Sequence, residues 1–224
     1  MIHSYNSLAY ANLHEFEVVR EKSTKYNNKL EELGKIIKKH NLENVVGICL
    51  LHKHFNIYDE ERLVRTFVDN KFKLKPEVVN ESQLIPYMFA FTKISKNESL
   101  NMYPVEYLKI NTDTESYREN LKQLMDNESF LNEFKNSLLE NNLSQVFGLS
   151  FLPYKLFDLK EGEMLLETED SDLRTENSVS DIRNLKIERV PNVERGEGIT
   201  TKTLWDFSAR TGEMNCHHHC DHPM

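Results

Sequence analysis

The chain reads as an α+β protein of two similar helix–strand–strand halves around a mainly antiparallel sheet. Three observations predict this. Apolar residues recur at three- and four-residue steps over two long stretches, which is helical spacing. A short apolar run containing β-branched or aromatic residues follows each stretch, as expected of a buried strand. The two blocks also match one another when the sequence is shifted by 101 positions.

In the first block Leu8, Leu13, Phe16 and Val19, then Leu30, Leu33, Ile36 and Ile37, predict helix over 8–40, divided at the polar patch from Ser23 to Asn28. Val45 to Leu51 is the first buried strand. Arg62 to Val68 alternates and predicts a second; Tyr87 to Phe91 and Val105 to Ile110 predict two more. In the second block Thr112 and Glu115 have the spacing of a capping box, which predicts that helix resumes there. Tyr117, Leu121, Leu124, Phe130, Leu131, Phe134, Leu138 and Leu139 carry it to about 141, with a break at Asp126-Asn127. Val146 to Leu152 is the second buried run. Residues 160–178 are acidic and polar and predict a loop or flexible insertion. Ile199 to Phe207 predicts a last strand.

The internal match runs from Asn41–Leu51 onto Asn142–Leu152, with Gly47 over Gly148. One inserted residue later, Phe55–Ile57 falls on Phe157–Leu159, and after that Arg62–Thr66 roughly meets Met164–Thr168. The paired glycines suit a close approach of the backbone to the preceding helix. The expected organisation is residues 1–111 and 112–209 as two halves packed into one globular unit, with 210–224 as a Cys/His-rich tail.

With 224 residues the chain can bury a proper core. A net charge of −8 argues against general binding to nucleic acid or to an anionic membrane surface. No apolar stretch has the length to span a bilayer, no secretory leader is visible, and three cysteines argue against a disulfide framework. These features predict a soluble cytoplasmic protein; a protein partner remains open.

The most informative segment is Cys216-His217-His218-His219-Cys220-Asp221-His222. Thiolate and imidazole are ligands that zinc prefers, so Cys216, Cys220, His218, His219 and His222 are candidate metal ligands, whether the segment is a helix or a loop. A second candidate pair is His52 and His54, which share one face of a strand because side chains alternate. Glu60 or Glu61 would add a carboxylate after the turn, and Asp206 or Glu213 would orient an imidazole near the tail. Cys49 falls on the face opposite the histidine pair and reads as a buried structural thiol. No phosphate-binding glycine loop and no nucleophile elbow is present.

Three functions fit. The first is a zinc-binding protein with a structural or interaction role. The second is a metal-dependent enzyme, a hydrolase or non-haem oxygenase, that uses His52 and His54. The third is an acidic protein-interaction module without metal.

Overall fold

A computed structural model describes residues 2–159, 163–169, 185–191 and 201–208, and the backbone course of 215–220. Five α-helices are present among them: α1 (Ser7–Ala11), α2 (Phe16–Ser23), α3 (Asn27–Lys39), α4 (Tyr117–Met125) and α5 (Glu128–Glu140). Ten strands are present among the described residues: β1 (Val46–Leu50), β2 (Glu61–Val68), β3 (Lys71–Val78), β4 (Leu84–Thr92), β5 (Asn101–Lys109), β6 (Phe147–Phe151), β7 (Glu163–Glu169), β8 (Leu185–Pro191), β9 (Thr201–Asp206) and β10 (Asn215–Cys220).

The strands curl into a closed barrel in the order β1-β6-β4-β5-β2-β3-β8-β7-β10-β9, and β9 returns to pair with β1. Pairing is antiparallel except at β2·β5 and β7·β10. The pairing of β1–β5 recurs in β6–β10. β1 meets β6 with Ile48 opposite Leu149, and β3 meets β8 with Lys73 opposite Lys186. On either side of the β1·β6 seam stand β4, beside β6, and β9, beside β1.

The local reasons are legible in each block. In α3 Leu30, Leu33 and Ile37, and in α5 Leu131, Phe134 and Leu138, form buried stripes at helical spacing. Asn41 and Asn142 follow these helices with φ of 56° each, a left-handed conformation that asparagine tolerates. Each turns the chain into its buried strand. The break at Asp126-Asn127 is real: the Asn127 side chain accepts from the Phe130 N–H at 3.0 Å and caps α5. Asn127→Ala is expected to cost about 1 kcal/mol of stability, read by urea unfolding; an unchanged midpoint would remove the cap from the account.

Four expectations need correction. Residues 71–78 form β3, which the sequence reading left without an element. Its apolar face offers only Phe72 and Leu74 between lysines, yet it pairs on both sides, with β2 and β8. Within the expected loop at 160–178 lies β7, where Met164, Leu165, Leu166 and Glu167 are all buried; the acidic flanks conceal a short core segment. The second long helix begins at Tyr117 rather than Thr112. The Asn111 carboxamide oxygen accepts from the Asp113 and Thr114 N–H groups and builds a turn there instead. Finally, Gly47 and Gly148 admit a neighbouring strand, not a helix. A Cβ on Gly47 would lie 2.5 Å from the Trp205 carbonyl oxygen, and one on Gly148 would lie 2.2 Å from that of Phe89.

Candidate metal centre

The chain leaves β1 at Leu50 and carries His52 and His54 into the barrel. The expected strand does not reach them: β1 ends before His52, and Lys53 between them makes only an isolated bridge with Glu15; the two imidazoles nonetheless come together, with ring centroids 4.4 Å apart. Contacts with the N-terminal stretch from Tyr10 to Phe16 hold this segment. The Tyr10 hydroxyl accepts from the His54 and Phe55 N–H groups at 3.0 and 3.3 Å. The Lys53 N–H donates to the His14 carbonyl at 2.9 Å, and the His52 ring stacks edge-on against Phe16 at 5.0 Å.

Charged side chains from three other strands meet His54. Arg65 on β2 and Glu106 on β5 form an ion pair with Nε to Oε2 of 2.5 Å, each side chain 3 % exposed. The second oxygen of Glu106 lies 3.5 Å from His54 Nε2. Glu167 on β7, 1 % exposed, places Oε1 3.2 Å from His54 Nδ1 and Oε2 3.9 Å from an Arg65 nitrogen. Around the ring of ten, β1, β5 and β7 stand three strands apart from one another or nearly so, and β2 adjoins β5. Side chains from such positions can meet only inside a closed barrel.

Burial and charge oppose one another here. Burial favours the neutral imidazole of His54, but the carboxylates of Glu167 and Glu106 outweigh it and raise the pKa above the usual value. Burial likewise works against ionised Glu106, yet the Arg65 guanidinium and His54 hold its carboxyl down at about 2. Cys49, fully buried near this group, has its thiol pushed up by burial first and by Glu106 second, so it is a poor nucleophile.

His52, His54 and Glu167 lie close enough to hold a metal ion, with one ligand atom from each all within 4.8 Å of one another. The outer hydrogen bonds suit that use. His52 Nδ1 faces the Leu50 carbonyl at 2.9 Å. A carbonyl only accepts, so Nδ1 carries the proton and Nε2 keeps its lone pair in the neutral ring. For His54, Nε2 faces Glu106, which leaves Nδ1 on the side of Glu167. Donors 3.2 Å apart, each about 2.1 Å from one ion, subtend about 100°, which lies between octahedral and tetrahedral angles. A small cavity lined by Arg65, Tyr87, Ser150 and Leu165, among others, adjoins the group.

The carboxylate beside the histidines is therefore Glu167 and not Glu60 or Glu61. Glu60 is exposed, and Glu61 accepts from the Tyr58 N–H at 2.8 Å. Asp206 takes bonds from the Tyr154 hydroxyl and from the Ser208 N–H, the latter at 2.6 Å. Cys216, His218, His219 and Cys220 lie on β10, a strand where the spacing had suggested a helix or loop; His222 and Glu213 lie outside the described residues. Sequence reasoning missed Arg65, Glu106 and Glu167. Their common signal is a charge inside an apolar strand segment, as in Val105-Glu106-Tyr107-Leu108.

The fold and the buried group define a closed mixed-pairing barrel with a His–His–Glu cluster inside it. Comparison with protein-family models, with curated proteins and with solved structures returns no match. No helix among the described residues is long and apolar enough to cross a membrane.

Proposed function

We propose that the protein binds one divalent metal ion inside the barrel through His52, His54 and Glu167, and that the ion has a structural role. The observation that carries this reading is the convergence of two imidazoles and a carboxylate within 4.8 Å, each imidazole with its other nitrogen facing an acceptor. Two imidazoles and a carboxylate suit zinc or ferrous iron, and zinc is the ion we assign.

The recurring strand pairing supports a further part of this reading: the chain is a tandem duplication whose halves share one barrel. The ligands come from both halves, His52 and His54 from the first and Glu167 from the second, so the ion ties them together.

Protein purified without metal-affinity resin, stripped with chelator and titrated with Zn2+ tests the function. One ion per chain and a higher Tm are expected, because an ion that binds only the folded state stabilises it. His52→Ala/His54→Ala is expected to abolish both effects. Metal-free protein whose Tm does not respond to Zn2+, Co2+ or Fe2+ would exclude the reading.

A further inference from the structure

A divalent ion in the cluster leaves a charge unbalanced inside the barrel. Ligating imidazoles are neutral. Arg65 and the ion then supply three positive charges. Glu106 and Glu167, the carboxylates that act most strongly on Arg65, supply two negative ones. One positive charge is left over among side chains that are 3 % exposed or less. A buried charge without a counter-ion is costly, so a single negative charge belongs close by.

Arg65 has donors to offer it. A guanidinium carries five N–H groups, one on Nε and four on the terminal nitrogens. Nε donates to Glu106 at 2.5 Å. The terminal nitrogens reach no hydrogen-bond acceptor among the described residues; the Glu167 carboxylate stands 3.9 Å from one of them. Rings flank the group, with the central carbon 5.7 Å from the Phe72 centroid and 5.4 Å from that of Tyr87. A buried charged donor left without an acceptor is expensive.

Arg65 also lines a small cavity, together with Phe72, Tyr87, Ser150, Leu165 and Leu204 among others. Its volume is about 10 Å³, the room of about one water molecule. Sulfate or phosphate is too large for that space, and a single-atom anion is not. Arg65 is the one charged residue of the lining, and Tyr87 and Ser150 add two hydroxyls that are hydrogen-bonded to each other. Burial raises the Tyr87 pKa more than Arg65 lowers it, so the phenol keeps its proton and can donate it.

We propose, resting on the metal reading above, that the loaded protein takes one small monovalent anion, a halide such as chloride, into this cavity. The terminal N–H groups of Arg65 and the Tyr87 hydroxyl hold it. Ser150 then donates to the Tyr87 oxygen rather than to the Phe151 carbonyl 3.2 Å away. Metal and halide bind cooperatively, because each compensates the charge that the other brings.

The test is Zn2+ titration of the stripped full chain at constant ionic strength, with free Zn2+ set by a chelator buffer and chloride, bromide, gluconate or sulfate as the anion. Chloride and bromide are expected to tighten Zn2+ binding by roughly tenfold over gluconate and sulfate, within the usual range of coupling between two sites. By reciprocity, Zn2+ tightens chloride binding by the same factor, read as chloride NMR line broadening that grows when Zn2+ is added. Tyr87→Phe is expected to lose most of the chloride effect; a variant that keeps it in full would put the anion elsewhere and overturn the proposal. Should Tyr87→Phe fail to fold, the wild-type anion series decides alone. If Zn2+ binds equally well in all four anions, the halide site fails and the metal site stands. If chloride acts equally on stripped and loaded protein, the charge coupling is absent and the proposal is overturned. If the wild type takes up no Zn2+ in any of the four, the proposal and the metal reading fall together.

Discussion

Glu106→Ala is expected to lower the unfolding free energy by about 3–5 kcal/mol, the usual cost of stranding one partner of a buried ion pair. The magnitude follows from what is left behind. Arg65 is 3 % exposed, and the carboxylate of Glu167 stands 3.9 Å from its guanidinium. Its guanidinium cannot shed its proton, because it sits above even its high ordinary pKa despite burial. An exposed pair such as Lys29–Glu32 should cost less than about 1 kcal/mol to break. Replacing both partners, as Arg65→Met/Glu106→Leu, is expected to recover much of the loss, since apolar groups of similar volume leave no buried charge. Urea unfolding followed by circular dichroism measures all three. A loss under about 1 kcal/mol for Glu106→Ala would mean that water reaches the pair. The pH dependence has a definite sign. Glu106 titrates at about 2 in the folded protein against an ordinary 4.5. Its contribution is thus complete above about pH 4.5 and drains away as the pH falls towards 2. Wild type should lose stability more steeply than Glu106→Ala across that window.

The helices and the two central strands were readable because their signals are local. Leu30, Leu33 and Ile37 repeat within one helix, and Val46 to Leu50 is a continuous apolar run. Barrel closure was not readable, because it depends on partners. Nothing in Val46–Leu50 says that it pairs with Phe147–Phe151, about a hundred residues away, and the parallel pairs join strands separated by other elements. The strand β3 hid behind its lysines, and β7 behind acidic flanks. The site divided along the same line. His52 and His54 were legible because a two-residue spacing suffices to bring them together. Glu167 was not, because it reaches them from a strand three places away in the ring and more than a hundred residues on in sequence. One clue was available: the internal match sets Glu167 over Arg65, two charges that each follow an apolar pair, Leu63-Val64 and Leu165-Leu166, and both prove to be buried.

Gly148→Ala should be among the most damaging single-methyl additions in this chain, at about 3 kcal/mol, the upper end of ordinary overpacking costs. The new Cβ would lie 2.2 Å from the Phe89 carbonyl oxygen and 2.8 Å from a Leu51 methyl. Phe89 is one of the two residues by which β4 pairs with β6, opposite Leu149, so its carbonyl cannot retreat without opening the β4·β6 seam. Gly47→Ala meets the corresponding obstacle in the other half, the Trp205 carbonyl oxygen, but at 2.5 Å and with both leucine contacts at 3.0 Å. It should cost less, about 2 kcal/mol. Gly34→Ala provides the contrast. Its Cβ would meet the Phe207 ring at 2.2 Å, but a side chain can rotate aside where a paired backbone cannot. Alanine also gains up to about 1 kcal/mol over glycine within a helix, which offsets part of the clash. The expected order of destabilisation is therefore Gly148, Gly47, Gly34, measured by urea unfolding of the three variants. A Gly148→Ala protein as stable as wild type would show that β4 and β6 do not approach as closely as the pairing requires. The closure of the barrel around the His–His–Glu cluster would then have to be redrawn, because β4 is the link between the β1·β6 seam and the Arg65–Glu106 side of the ring.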